Sequence, residues 1–212
     1  MSRHKITKIA ALISGISGLI ILVSSVWPII EYQLTDARAF RTLLSPLADE
    51  KSDFTKASNW FPDVPKNVPV VESKVDFYTV SIPKLKIQDA VVAIGGEDLS
   101  KNLVQYPGTA LPGKNGNAVI FGHSILPIFY NPKNYMSIFS KIPTLVAGDD
   151  IFIEYDGVSF KYKVEELIEI YPTDIQILEQ NSSDSFISLV TCVPPGDPRN
   201  PKRLIVRAGV AS

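Results

Sequence analysis

One cysteine in 212 residues excludes an internal disulfide. A domain outside the cytoplasm that depends on covalent staples carries paired cysteines, so this chain must hold together by core packing. Acidic residues are absent from the first 30 positions, which carry only Arg3, Lys5 and Lys8 as formal charges. The remainder holds 18 of the 21 Lys and Arg against all 22 acids, a balance of 18 − 22 = −4. There is no basic stripe, and a nucleic-acid partner is therefore not expected. No repeat or low-complexity tract is visible, and no apolar run near the C-terminus compares with the one near the N-terminus.

That N-terminal run, Ile9 to Ile30, is 22 residues without a charge. As a helix rising about 1.5 Å per residue it measures roughly 33 Å, the thickness of a bilayer core. The basic residues ahead of it put the N-terminus in the cytoplasm and the rest of the chain outside. Trp27 and Tyr32 fall where aromatic side chains favour the outer interface. A cleaved signal peptide has a shorter apolar region and a small-residue cleavage site, for which Ser24-Ser25-Val26 is a weak match. A core helix would show a polar face, and this one shows none. The expectation is a single-pass protein of the cell membrane: tail 1–8, transmembrane anchor 9–30, extracytoplasmic stalk 31–74 and a domain over 75–212.

Within the stalk, Phe40, Leu43, Leu44 and Leu47 recur at helical spacing and predict a short helix over Asp36 to Leu47. Pro62, Pro65 and Pro69 then predict a semi-rigid spacer. From Val75 the pattern turns β-rich. Strands are expected over Phe77–Ile82, Ile87–Ile94, Ala118–Phe121, Asp150–Tyr155, Ser159–Ile170, Phe186–Thr191 and Arg203–Ala208. Asp156-Gly157 reads as a two-residue hairpin turn. Leu99 to Val104 reads as a short helix with Asp98 as N-cap, and Tyr135 to Lys141 as a helical turn. Seven or eight short strands with few helices predict a mainly β, closed or nearly closed barrel.

Three residues carry the candidate chemistry. Cys192 stands where an apolar strand meets the Pro-rich loop Val193-Pro194-Pro195-Gly196-Asp197-Pro198. A thiolate there is a nucleophile; a buried, inert thiol is the structural alternative. His123 also follows an apolar strand and a glycine, placed either for proton exchange or as a core histidine. Arg203 opens the last strand, where a guanidinium can hold an oxyanion, with Arg207 as the competing candidate. Cysteine, histidine and arginine together supply acyl transfer through a thioester.

These segments resemble the sortases, membrane-anchored cysteine transpeptidases of the bacterial cell surface. The family's T-L-x-T-C appears as Ser188-Leu189-Val190-Thr191-Cys192, its G-H-[TS] as Gly122-His123-Ser124, and its last-strand arginine in Arg203-Leu204-Ile205-Val206-Arg207. Ser81-Ile82-Pro83-Lys84-Leu85 and Tyr106-Pro107-Gly108-Thr109-Ala110-Leu111-Pro112-Gly113 are similar to two further family segments. The resemblance covers about Val75 to Val210 and departs from the pattern at Ser188. It implies a sortase-like closed β-barrel of seven to eight strands, with Cys192 as nucleophile, His123 as general acid and base, and Arg203 as oxyanion stabiliser. Thr191 is implied in substrate binding or in orienting the site. The implied partners are surface proteins with an L-P-x-T-G-like sorting signal, and a cell-wall or protein amine as acceptor. No cofactor or metal is called for, and Asp149 reads as a turn residue.

Pilin-polymerising sortases often carry a second membrane segment and a lid with an Asp-Pro-aromatic motif, neither of which is found here. A housekeeping-like or class D/E-like enzyme is therefore expected. Two other readings compete. One is a non-catalytic surface-binding barrel, in which Cys192 is inert. The other is a different cysteine acyltransferase acting on peptidoglycan, such as an L,D-transpeptidase. That family places its cysteine a few residues after a His-Gly pair, whereas His123 lies 192 − 123 = 69 residues upstream.

Overall fold

The structure is a computed structural model and describes residues 3–31, 41–42, 53–61, 72–180, 183–196 and 202–211. Its elements run in chain order: helix α1 (Arg3–Glu31), then strands β1 (Arg41–Thr42), β2 (Phe77–Ile82), β3 (Ile87–Ile94), β4 (Leu103–Gln105), β5 (Gly116–Phe121), β6 (Asp150–Tyr155), β7 (Val158–Ile170), β8 (Ser185–Val193) and β9 (Lys202–Val210). Eight strands close on themselves in the order β7-β6-β2-β3-β4-β5-β8-β9, with β9 pairing back onto β7. Closure leaves no edge among the eight, as the barrel expectation required. The two-residue β1 lies parallel to β7, with Arg41 opposite Ile168.

Closure depends on the length of β7. Its first half pairs with β6 across the Asp156-Gly157 turn. Both turn residues take positive φ, 50° and 74°, the geometry that matches strand twist in a two-residue hairpin. The same strand pairs with β9 from Tyr162–Val210 to Ile170–Arg203, interrupted by a bulge between Val164 and Glu166. Bulges of this kind bend a strand and help a barrel close.

Period-two alternation sorts side chains to two apolar layers. Ala118, Ile120, Ile187, Leu189, Val193, Leu204 and Val206 fill the barrel interior. The neighbours between them face outward: Val119, Phe121, Val190, Cys192 and Ile205 form a second cluster on the outside of β5, β8 and β9. That cluster is covered by Ala57, Trp60 and Phe61, each at most 1% exposed. The Trp60 ring stacks on Phe121 with centroids 5.0 Å apart and planes 14° from parallel.

Within the stalk expected over 31–74, segment 53–61 thus packs on the barrel. Its aromatic rings bury against the barrel because each removes a large apolar area from water; the spacer expected at Pro62, Pro65 and Pro69 lies outside the described residues. The helix expected over Asp36 to Leu47 lies outside the described residues except at Arg41–Thr42, which form β1. The helix expected over Leu99 to Val104 is replaced by a turn and β4. Val104 pairs with both Ala93 and Phe121, so a ladder on each side overrides the local helical spacing. Asp98 still acts as a local acceptor, its Oδ1 taking the Ser100 N–H at 3.0 Å. Over Tyr135 to Lys141 the chain forms successive turns, with Ser140 N donating to Ser137 O.

The apolar run Ile9 to Ile30 is helical throughout, inside α1. Among the described residues no helix is long and apolar enough to cross a membrane.

Tyr162 is fully buried, and its hydroxyl joins β7 to β8 and to the turn before β5: it accepts from Gly113 N at 2.8 Å and lies 3.0 Å from Ser185 Oγ. Tyr162→Phe deprives the Gly113 N–H of that acceptor and should lower stability by about 1–3 kcal/mol, read from urea unfolding midpoints at unchanged slope.

Candidate active site

The β8–β9 register places Cys192 directly opposite Arg203. Opposed residues in an antiparallel pair project to the same face with Cβ atoms about 5 Å apart. Both point out of the barrel, since Leu204 and Val193 beside them point in. Arg203 is fully buried and Cys192 is 9% exposed. The guanidinium donates from Nη2 to Trp60 O at 3.2 Å and from Nη1 to Lys202 O at 3.4 Å. Two rings flank it, Phe54 at 5.0 Å and Trp60 at 5.3 Å from the ring centroids. Arg207 is set apart: it lies opposite Ser188, and its guanidinium packs on Phe186 at 4.2 Å. Between the two arginines the register selects Arg203 as the neighbour of the thiol.

His123 reaches the same place through backbone ties. Strand β5 runs parallel to β8 up to Phe121 opposite Val190. Beyond it, Gly122 N donates to Val190 O at 3.1 Å, and Thr191 Oγ1 donates to Gly122 O at 2.9 Å. Ser124 Oγ then donates to Cys192 O at 2.8 Å. The residues on both sides of His123 are therefore clipped to residues 190–192. Glycine is required at 122 because a Cβ there would stand 2.3 Å from the Phe139 ring. The half-buried imidazole has Nδ1 3.0 Å from Ser124 O; with the proton on Nδ1 it donates to that carbonyl and leaves Nε2 as the basic nitrogen.

Burial pushes the Cys192 thiol above its usual range, with the Arg203 charge opposing the rise. Burial pulls the His123 imidazole below its usual range, opposed by the Ser124 carbonyl and the Asp53 carboxylate. Both directions favour the neutral thiol and the neutral imidazole. Arg203 is also lowered by burial, from a starting value so high that it stays charged.

Thr191 sits where the sequence placed it, but it is fully buried and its hydroxyl is spent on Gly122 O. Asp149 accepts the Val146 N–H at 2.7 Å, in keeping with a turn residue. Sequence reasoning missed Phe54 and Trp60 altogether. Their aromatic character was the available signal, read there as part of a stalk. Among the described residues no group of three or more His, Cys, Asp or Glu gathers as a metal site.

Comparison with known proteins agrees with the barrel fold. A family model for the sortase domain matches residues 80–211. Sortase A of Bacillus anthracis is 27% identical over 171 residues, covering 75% of each chain. Among solved structures, a Clostridium perfringens sortase D5 transpeptidase is similar at 28% identity and a TM-score of 0.55, over 67% of this chain and 82% of that one. A pilus-related sortase C of Group B Streptococcus is similar at 25% identity and a TM-score of 0.56, over 72% and 78% respectively. A closed barrel with this match over most of its length defines a member of the sortase family, and the chain belongs to it.

The Arg203 guanidinium is a charge that favours the thiolate, and removing it takes that support away. In Arg203→Met the pH profile of Cys192 alkylation should move to higher pH, measured by iodoacetamide labelling from pH 6 to 11.

Proposed function

We propose that the protein is a membrane-anchored cysteine transpeptidase acting on an L-P-x-T-G-like sorting signal. The observation that carries this reading is the β8–β9 register that faces Cys192 with Arg203, beside the loop holding His123. The minor thiolate–imidazolium form of the Cys192–His123 pair attacks the Thr–Gly carbonyl. Sγ bonds to the carbonyl carbon, and the charge moves to the oxygen, where the Arg203 N–H donors stabilise it by a few kcal/mol. His123 gives its proton to the glycine nitrogen, the C–N bond breaks, and a thioester remains. An amine from a cell-wall precursor or another protein then attacks the thioester. His123 takes the amine's proton, and the thiol is released. Water in place of the amine gives hydrolysis.

The anchor is part of the same reading. It is supported by the uncharged run inside α1, whose described side chains Leu12, Ile13, Leu19, Ile20, Ile21 and Leu22 are all exposed. With Arg3, Lys5 and Lys8 inside, the barrel lies on the outer side of a cell membrane, where sorting signals and wall precursors are found. The burial of Cys192 is the one observation that favours a non-catalytic barrel, and the same experiment separates the two.

The full chain is incubated with a quenched L-P-x-T-G peptide library and an amine acceptor, and products are read by mass spectrometry. Cleavage between Thr and Gly with ligation to the amine is expected. Cys192→Ala abolishes both. Arg203→Ala lowers kcat by about 10²–10³, and His123→Ala impairs acylation and aminolysis together. No product from any peptide, with Cys192 resistant to alkylation in native and peptide-bound samples, overturns the proposal.

A further inference from the structure

Among the described residues only two side chains of formal charge are buried, Arg203 and Glu169. Charge in an interior is costly unless it is paired. Glu169 lies opposite Leu204, and Leu204 fills the barrel interior, so the carboxylate stands on the inner face at the end of β7. It is 1% exposed, and its Oε2 accepts from Lys202 Nζ at 3.1 Å. The same ammonium lies 5.5 Å from the centroid of the Tyr171 ring. A turn holds Tyr171 in place: its N–H donates to Asp174 Oδ2 at 3.0 Å, and Asp174 N donates to Tyr171 O at 2.9 Å.

The pair bears on the candidate site through Lys202. Lys202 opens β9, and its rung with Val193 ends the ladder on the β8 side. On the β7 side the ladder stops one residue earlier, at Ile170 opposite Arg203. Strand ends open at little free-energy cost. Beyond the Ile170–Arg203 rung, the Lys202–Glu169 side-chain pair carries the tie to β7. The carbonyl of Lys202 takes Arg203 Nη1 at 3.4 Å, so a shift of Lys202 moves an acceptor of the guanidinium. A buried ion pair adds little net stability over apolar residues of the same volume. Its place one residue from Arg203 gives it another use.

Resting on the transpeptidase reading, we infer that Glu169 is a positioning residue: through Lys202 it fixes the start of β9 and so aims the Arg203 donors at the oxyanion. It touches neither the substrate nor the reacting atoms.

The test is whether Glu169 acts through Arg203. In the full chain, sorting-peptide turnover and the pH profile of iodoacetamide labelling at Cys192 are measured for Glu169→Gln, Arg203→Met and the double variant. Glu169→Gln keeps the shape of the side chain and removes its charge. It should lower kcat about tenfold at unchanged KM, as the loss of an interaction made in the transition state does. Its labelling profile should move to higher pH, part of the way to that of Arg203→Met. Loss of a nearby negative charge by itself would move the profile to lower pH, so the sign separates positioning from a direct charge effect. In the Arg203→Met background the same substitution should change neither reading further. Lys202→Met should reproduce Glu169→Gln, and Lys202→Arg should recover most of the loss. If a single variant fails to fold by circular dichroism, Glu169→Gln combined with Lys202→Met removes both charges of the pair and takes its place. Equal effects of Glu169→Gln with and without Arg203 overturn the inference and leave the transpeptidase reading standing. A lower melting temperature with kcat and labelling profile unchanged does the same, as does a Lys202→Met variant without effect. A labelling shift that depends on Arg203, with no turnover of any peptide, keeps the positioning role and removes the transpeptidase reading.

Discussion

The site depends on one backbone constraint, the antiparallel register of β8 and β9. That ladder runs from Phe186 opposite Gly209 to Val193 opposite Lys202. Because side chains alternate with period two, a slip of one residue would turn Arg203 into the barrel and Leu204 out of it. The register is held by the core: Leu189, Val193, Leu204 and Val206 all fill the interior, and any other pairing exposes them or buries the guanidinium among them. The facing of Cys192 and Arg203 on the outside is thus set by apolar packing on the inside.

The third group is brought in by a different device. The imidazole of His123 is not on a strand, and no ladder places it. Two hydroxyls do, one from each side: Thr191 bonds Gly122 O, and Ser124 bonds Cys192 O. Both are buried, where a hydrogen bond between neutral groups is less weakened by water. Backbone bonds add to these, Gly122 N donating to Val190 O and Phe139 N to the His123 carbonyl, so the histidine is fixed from several sides. Glycine at 122 allows the loop to pass under Phe139.

Burying a guanidinium is expensive unless its donors and faces are occupied. Here carbonyls at Trp60 and Lys202 occupy donors, and aromatic rings occupy its surroundings. The charge that opposes the rise in the Cys192 pKa is therefore itself maintained by segment 53–61. The same contacts that stabilise the fold keep the thiol neutral and dry. Stability and reactivity draw on one set of groups in opposite directions.

Much of this was legible in the residues. The strands over Phe77–Ile82, Ile87–Ile94 and Asp150–Tyr155 follow from alternation and turn chemistry, which act over a few neighbouring positions. The cysteine, histidine and arginine were identifiable because a lone thiol, a histidine after a glycine and a strand-opening arginine are local patterns. Leu99 to Val104 was misread because its helical spacing is local, while the two ladders that claim Val104 come from residues distant in sequence. Segment 53–61 was misread for the same reason: nothing near Trp60 in the chain shows that Phe121 and Arg203 await it. By itself the sequence determined the strand pattern, the reactive residue types and the charge asymmetry about the apolar run, since each depends on neighbours a few positions apart. Only the tertiary structure decided which arginine faces the thiol, that Thr191 is spent on a backbone carbonyl, and that an N-terminal segment covers the site, because each depends on register and closure between strands far apart in the chain.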